Sequence, residues 1–130
     1  MTRLVTVSLR TGDTSPALSG QTLHLINEER RRASCSPLRP LPALEDAALR
    51  HSISMAHRNA LVHSTTAPDD TPRGWAENIA RGYRTPTAVV TAWLDSPGHR
   101  RNVLNCAYHF SGLNVTQHEG RTWWTHILTD

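Results

Sequence analysis

Lysine is absent from these 130 residues, so all fourteen basic side chains are arginines, and the formal net charge is +3. No apolar run approaches the roughly 18 residues that a membrane-crossing helix needs, so no transmembrane segment is expected. Cysteine is nearly absent too. The two present, Cys35 and Cys106, stand far apart, which argues against a Cys-x-x-Cys zinc or thioredoxin-type motif. Neither a Gly-x-Ser-x-Gly elbow nor a Cys–His nucleophile pattern is evident. The arginines of "EERRRA" (28–33) have no aromatics among them of the kind that stack bases. That cluster reads as the solvated end of a helix, where cations suit the dipole, and no nucleic-acid partner is expected.

What is present suits one domain, which at this length buries about two-thirds of its unfolded surface. Four tryptophans supply large apolar side chains that need a core. The cysteines are either two buried thiols or one long-range disulfide, which would contribute about 4 kcal/mol in the loop-entropy model. A disulfide requires an oxidising compartment. The opening "MTRLVTVSLRTGDTSPALSG" does not supply a matching export signal, because "LVTV" is too short and Arg10 and Asp13 follow at once.

Residues 1–17 read as a flexible N-terminal tail and 18–130 as the domain. Leu23, Ile26, Asn27 and Arg30 recur at helical steps within a helix from Leu18 to Ala33. The prolines of "CSPLRPLP" end it, and a second helix runs from about Ala43 to Ala60 with Leu44, Ala47, Ala48, Ile53, Met55 and Ala56 as its stripe. "HSTTAPDDTPRG" is a polar loop, and "WAENIARGY" a short turn-like element closed by Gly82. Thr85 and Pro86 fit the N-cap and first position of a third helix that turns Val89, Val90 and Trp93 inward. "FSGLNVTQ" and "TWWTHIL" read as strands of a hairpin joined through His118–Arg121. The pattern predicts one layered α+β domain.

Eight histidines invite a metal reading. His51 and His57 are six residues apart, a rotation of about 240° on a helix, so one ion cannot take both. His63 falls where that helix gives way to a loop, and its direction is free. His24, His109, His118 and His126 read as surface or satisfied side chains. Glu77 lies between Trp75 and Ile79 on an element that should be covered, and a buried carboxylate needs a histidine, an arginine or a metal beside it. Asn78 reads as its structural neighbour, bonding backbone at a turn. His99 sits in the first turn of a helix that Ser96 can cap and Pro97 can begin, where the dipole disfavours imidazolium. Asp95 or Ser96 would then orient the ring.

The segments "INEERRRASCSPL", "MAHRNALVHS", "WAENIARGY", "AWLDSPGHRRNVLN" and "GLNV…WWTHIL" follow one another as in the CAP superfamily. That group comprises the cysteine-rich secretory, antigen 5 and pathogenesis-related proteins, or SCP-domain proteins. The chain resembles its short bacterial members over about Leu18–Leu128. The resemblance implies a three-layer α-β-α sandwich with a small antiparallel sheet between helices. It also implies a cavity of two His and two Glu that in some members holds zinc or another divalent cation. By position His63 matches the first histidine, Glu77 the first glutamate and His99 the second histidine. Where the second glutamate would stand the chain reads "LDS", giving Asp95 or Ser96. The bacterial branch also implies a Cys35–Cys106 disulfide and export, with the start lying upstream or another route being used.

The function this implies is a secreted, monomeric, non-enzymatic binding module. Its His/Glu cleft would hold a divalent metal, and its surface a lipid, a sterol or a cell-envelope ligand. The alternative is a metal-assisted hydrolase, a protease or nuclease using His63, Glu77 and His99 to activate water. A third reading leaves the same residues only tying loops together.

Overall fold

The computed structural model describes residues 13–68 and 74–130. Two-residue strand β1 (Asp13–Thr14) leads into α1 (Pro16–Arg32), and β2 (Arg39–Pro40) into α2 (Pro42–Arg58). Then come β3 (Trp75–Arg81), α3 (Pro86–Asp95), α4 (Pro97–Val103), β4 (Phe110–His118) and β5 (Arg121–Thr129). The long strands lie in the order β4-β5-β3, both pairings antiparallel, with β1 antiparallel along β4. Helix α2 covers β4 and β5 on one side, while α1 and α4 contact β4 and β3 and pack with α3. The result is the expected three-layer α-β-α sandwich.

Local chemistry accounts for most boundaries. Pro86 opens α3, and the Thr85 hydroxyl accepts from Ala88 N–H at 3.1 Å. The β4–β5 turn is Glu119–Gly120 with φ of 50° and 76°, the two left-handed residues that a type I′ hairpin requires. Asn59 at φ 49° closes α2, an asparagine in a left-handed C-cap.

Several expectations need correction. The domain includes residues 13–17: Asp13 and Thr14 pair with Gln117 and Thr116, and α1 begins at Pro16, capped by Ser15. The remainder of the expected tail, 1–12, lies outside the described residues. The sheet is mixed, because β2 runs parallel to β4, and the long chain between them allows that direction. "WAENIAR" is a strand, β3, rather than a turn. Both of its faces are covered, which removes the polar alternation that marks a half-exposed strand. Ser52, not Ile53, takes the buried position on α2, with its hydroxyl 2.8 Å from Thr125 Oγ1. Arg30 is fully buried rather than part of a solvated helix end, while Arg31 and Arg32 pair on the surface with Glu28 and Glu29.

The main core holds Ile26, Val89, Val90, Trp93, Val103, Leu113, Val115, Trp124 and Leu128 between the sheet and α1, α3 and α4. Under α2, Met55 and Ala56 meet Ile79 and Trp123, while Leu44 and Ala48 meet Ile127. At Gly112 a Cβ would stand 2.1 Å from the Leu44 carbonyl carbon and oxygen, so only glycine admits α2 so close to β4.

Candidate functional site

Alternation along β3 sends its two buried polar residues in opposite directions. Ile79 packs among Met55, Ala56 and Trp123, and Glu77 shares that face. Asn78 points with Ala80 toward the other layer. There its amide donates to the His99 carbonyl at 3.1 Å, and its oxygen accepts from Asn102 Nδ2 at 2.9 Å. One short strand thus fixes a carboxylate on one side and anchors α4 on the other.

The Glu77 side chain is only 3% exposed. One oxygen accepts from His63 Nδ1 and from Ser64 N–H, both at 2.9 Å, and the other accepts from the Ser64 hydroxyl at 2.6 Å. His51 Nε2 stands 3.9 Å away and donates to the Val62 carbonyl at 2.7 Å. With Nδ1–H given to Glu77, a neutral His63 presents the Nε2 lone pair outward. Its side chain is 62% exposed. His63, Trp75, Ala76, Glu77 and Asn102 line a shallow cleft of about 300 Å³.

His99 is half-buried, and its Nδ1 is buried with no hydrogen-bond partner among the described residues. Burial, and secondarily the nearby charge of His63, lowers its pKa below the ordinary imidazole value. The favoured neutral form agrees with the sequence reading, but the chief cause is burial rather than the helix end. Ser96 occupies the N-cap position without a side-chain cap bond, and Asp95 is exposed. Among the described residues neither side chain bonds His99; Asn78, itself held by Asn102, bonds the His99 backbone carbonyl.

The structure therefore joins His63 to Glu77 directly, and the charge of His63 reaches His99, which is not itself among the residues lining that cleft. Among the described residues no three His, Cys, Asp or Glu side chains converge in a metal-binding arrangement. A divalent ion would find two imidazoles there as donors, with Glu77 bonded behind His63, one fewer than the three protein ligands usual at a catalytic zinc. Sequence reasoning missed Ser64, Asn102 and His51 as parts of this site. Two of them left a signal: Ser64 adjoins His63, and Asn102 is three residues from His99, hence on its face of the helix. Other histidines lie elsewhere, with the His57 and His118 rings tilted against each other at 4.5 Å between centroids and His126 buried against Trp93.

Residues 23–128 match the model of the cysteine-rich secretory protein family, CAP. The uncharacterized Bacillus subtilis protein YkwD is 32% identical over 119 residues, an alignment covering 84% of this chain and 46% of that protein. The chain thus spans about half the length of that relative. Among solved structures, an outer surface protein of Borrelia burgdorferi superposes with a TM-score of 0.82 at 18% identity, covering 92% of this chain and 98% of that one. An extracellular SCP-domain protein of Bacillus anthracis gives 0.73 at 24% identity, covering 87% of this chain and 40% of that one. At these identities the structural likenesses establish the fold.

Proposed function

The chain belongs to the cysteine-rich secretory protein (CAP) family, and from that membership we propose a non-enzymatic extracellular binding module whose His63–His99 cleft takes a divalent cation. The observation that carries this reading is the state of Glu77. A general base must reach a water at about 2.6–3.2 Å with a free lone pair. The Glu77 carboxylate is buried and accepts three hydrogen bonds from His63 and Ser64. It acts as the group that holds the His63 tautomer, as carboxylates behind metal-binding histidines do. His63 Nε2 and the unpartnered imidazole of His99 would hold the ion, which would offer its remaining positions to oxygen donors of a ligand. The hydrolase alternative needs Glu77 to activate water, and three of the roughly four acceptor positions of its carboxylate are already taken.

Extracellular placement is supported by the Cys35–Cys106 disulfide, since such bonds persist in oxidising compartments. The words "outer surface" and "extracellular" in the names of two structural relatives agree with it. The ligand classes consistent with this setting are a lipid, a sterol or a component of the cell envelope.

Thermal melts with and without zinc test the cleft. A ligand at about one hundred times its Kd adds about 2.7 kcal/mol, a rise of several degrees for a domain of this size. His63→Ala and His99→Ala should each lose most of that rise. A rise that persists in both variants removes the two histidines from the ligand set. A chelator-sensitive activity on peptide or nucleic acid, abolished in Glu77→Gln, would overturn the non-enzymatic reading.

A further inference from the structure

A larger groove, about 550 Å³, runs between α2 and the segment 62–68. Its helical wall is Ala47, Arg50, His51, Ser54 and Arg58, whose spacing places them on one stripe of α2. Ser64, Thr65 and Thr66 supply hydroxyls from the facing wall. His51 ties the walls together through the Val62 carbonyl, and Ser64 is fastened to Glu77, so the groove is preformed.

Among the described residues its charge is one-sided. Two arginines line it, and among the described residues the lining contains no carboxylate. Arg50 also meets Asp46, which lies outside the lining, in an exposed pair of the kind that contributes little. Arg58 has no acidic partner among the described residues. Eight residues of helix put the two arginine positions about 12 Å apart along the axis. Ser54, Thr65 and Thr66, which both donate and accept, lie among the lining residues. No Phe, Tyr or Trp for stacking bases is present among the described lining residues, whose only rings besides Pro68 are the imidazoles of His51 and His63.

We propose that this groove binds an extended anionic glycan, reading two anionic groups with Arg50 and Arg58 and the intervening hydroxyls with Ser54, Thr65 and Thr66. The proposal rests on the reading of the chain as a binding module but not on a cation in the His63–His99 cleft. Its test therefore uses metal-free protein, so a negative zinc result leaves it standing.

The full chain, stripped with chelator, is titrated calorimetrically with an oligogalacturonate and with a phosphodiester-linked oligosaccharide, which separate carboxylate from phosphodiester sources. A neutral chitin oligosaccharide and an oligo-dT serve as comparisons. At least one anionic oligomer should bind, and the neutral one should not. Removing one charge-assisted contact should weaken binding about tenfold in Arg58→Gln and again in the Arg50→Gln/Arg58→Gln pair. Arg84→Gln, which removes an exposed charge outside the groove, should leave the affinity unchanged. Both arginines are surface groups, and unchanged melting curves will show that the variants fold. Failure of both anionic oligomers, equal binding of the neutral one, tighter binding of oligo-dT, or indifference to Arg58→Gln would each overturn the proposal.

Discussion

Arg30 carries its charge into the interior with no carboxylate paired to it among the described residues. Its guanidinium instead donates to four backbone carbonyls, those of Ser36, Val103, Asn105 and Tyr108, at 2.8–3.0 Å. The helical phase of the sequence placed Arg30 on the same stripe as Ile26, but no local pattern names carbonyls more than seventy residues away. His126 is a second buried polar group, with Nε2 2.8 Å from the Ser111 hydroxyl. Burial, aided by the charge of Arg30, pushes its pKa down to about 3. The unfolded chain binds a proton near pH 6.5 that the folded chain refuses, so stability is full above that pH and falls as pH drops toward 3. The slope from this group is at most about 1.4 kcal/mol per pH unit. Urea unfolding at pH 7, 5.5 and 4.5 should show the decline, and it should flatten in His126→Gln and in His126→Phe. An identical slope in both variants would assign the acid sensitivity to other groups.

Elements differ in how plainly their residues announce them. The hairpin and α3 were legible because their signals are local: Glu119–Gly120 adopts positive φ, and Thr85 caps its own helix. Strand β3 was not, since Glu77 and Asn78 are polar residues whose partners, His63, Ser64, His99 and Asn102, come from other segments. The same dependence hid the close approach of α2 to β4. Gly112 looks like an ordinary glycine in a strand until the backbone of Leu44 and Glu45 is found against it. Gly112→Ala should therefore destabilise by about 3 kcal/mol, the upper end for an overpacked core, because the obstacle is backbone and cannot rotate away. Chemical denaturation of the variant measures this, and a loss below about 0.5 kcal/mol, the range of surface substitutions, would show that α2 can shift at no cost.

For the molecule as a whole, one covalent bond and one buried guanidinium secure the same region. Cys35 and Cys106, 71 residues apart, close a loop that contains α2, β3, α3 and α4. The Arg30 bonds bind the turn after α1 to the segment after α4 beside that disulfide. Replacing both cysteines by serine should cost about 4 kcal/mol, a fall of ten degrees or more in Tm. Thiol titration of the unfolded, unreduced protein should find no free thiol. A Tm within two degrees of wild type would mean that the Arg30 contacts alone hold the region.

Helical phase, caps, turn residues and the pairing of hydrophobic strands are properties of neighbours in the chain. The sequence alone therefore sufficed for the α+β class and the hairpin, while the grouping of His63, Glu77 and His99 came from the resemblance to the CAP family. Which face each β3 residue takes, what satisfies Glu77, why His99 favours its neutral form and where Arg30 spends its donors depend on groups far apart in sequence. Burial and hydrogen-bond partnership exist only once the layers have packed. The same packing turned a short polar stretch into the strand from which the cleft is built.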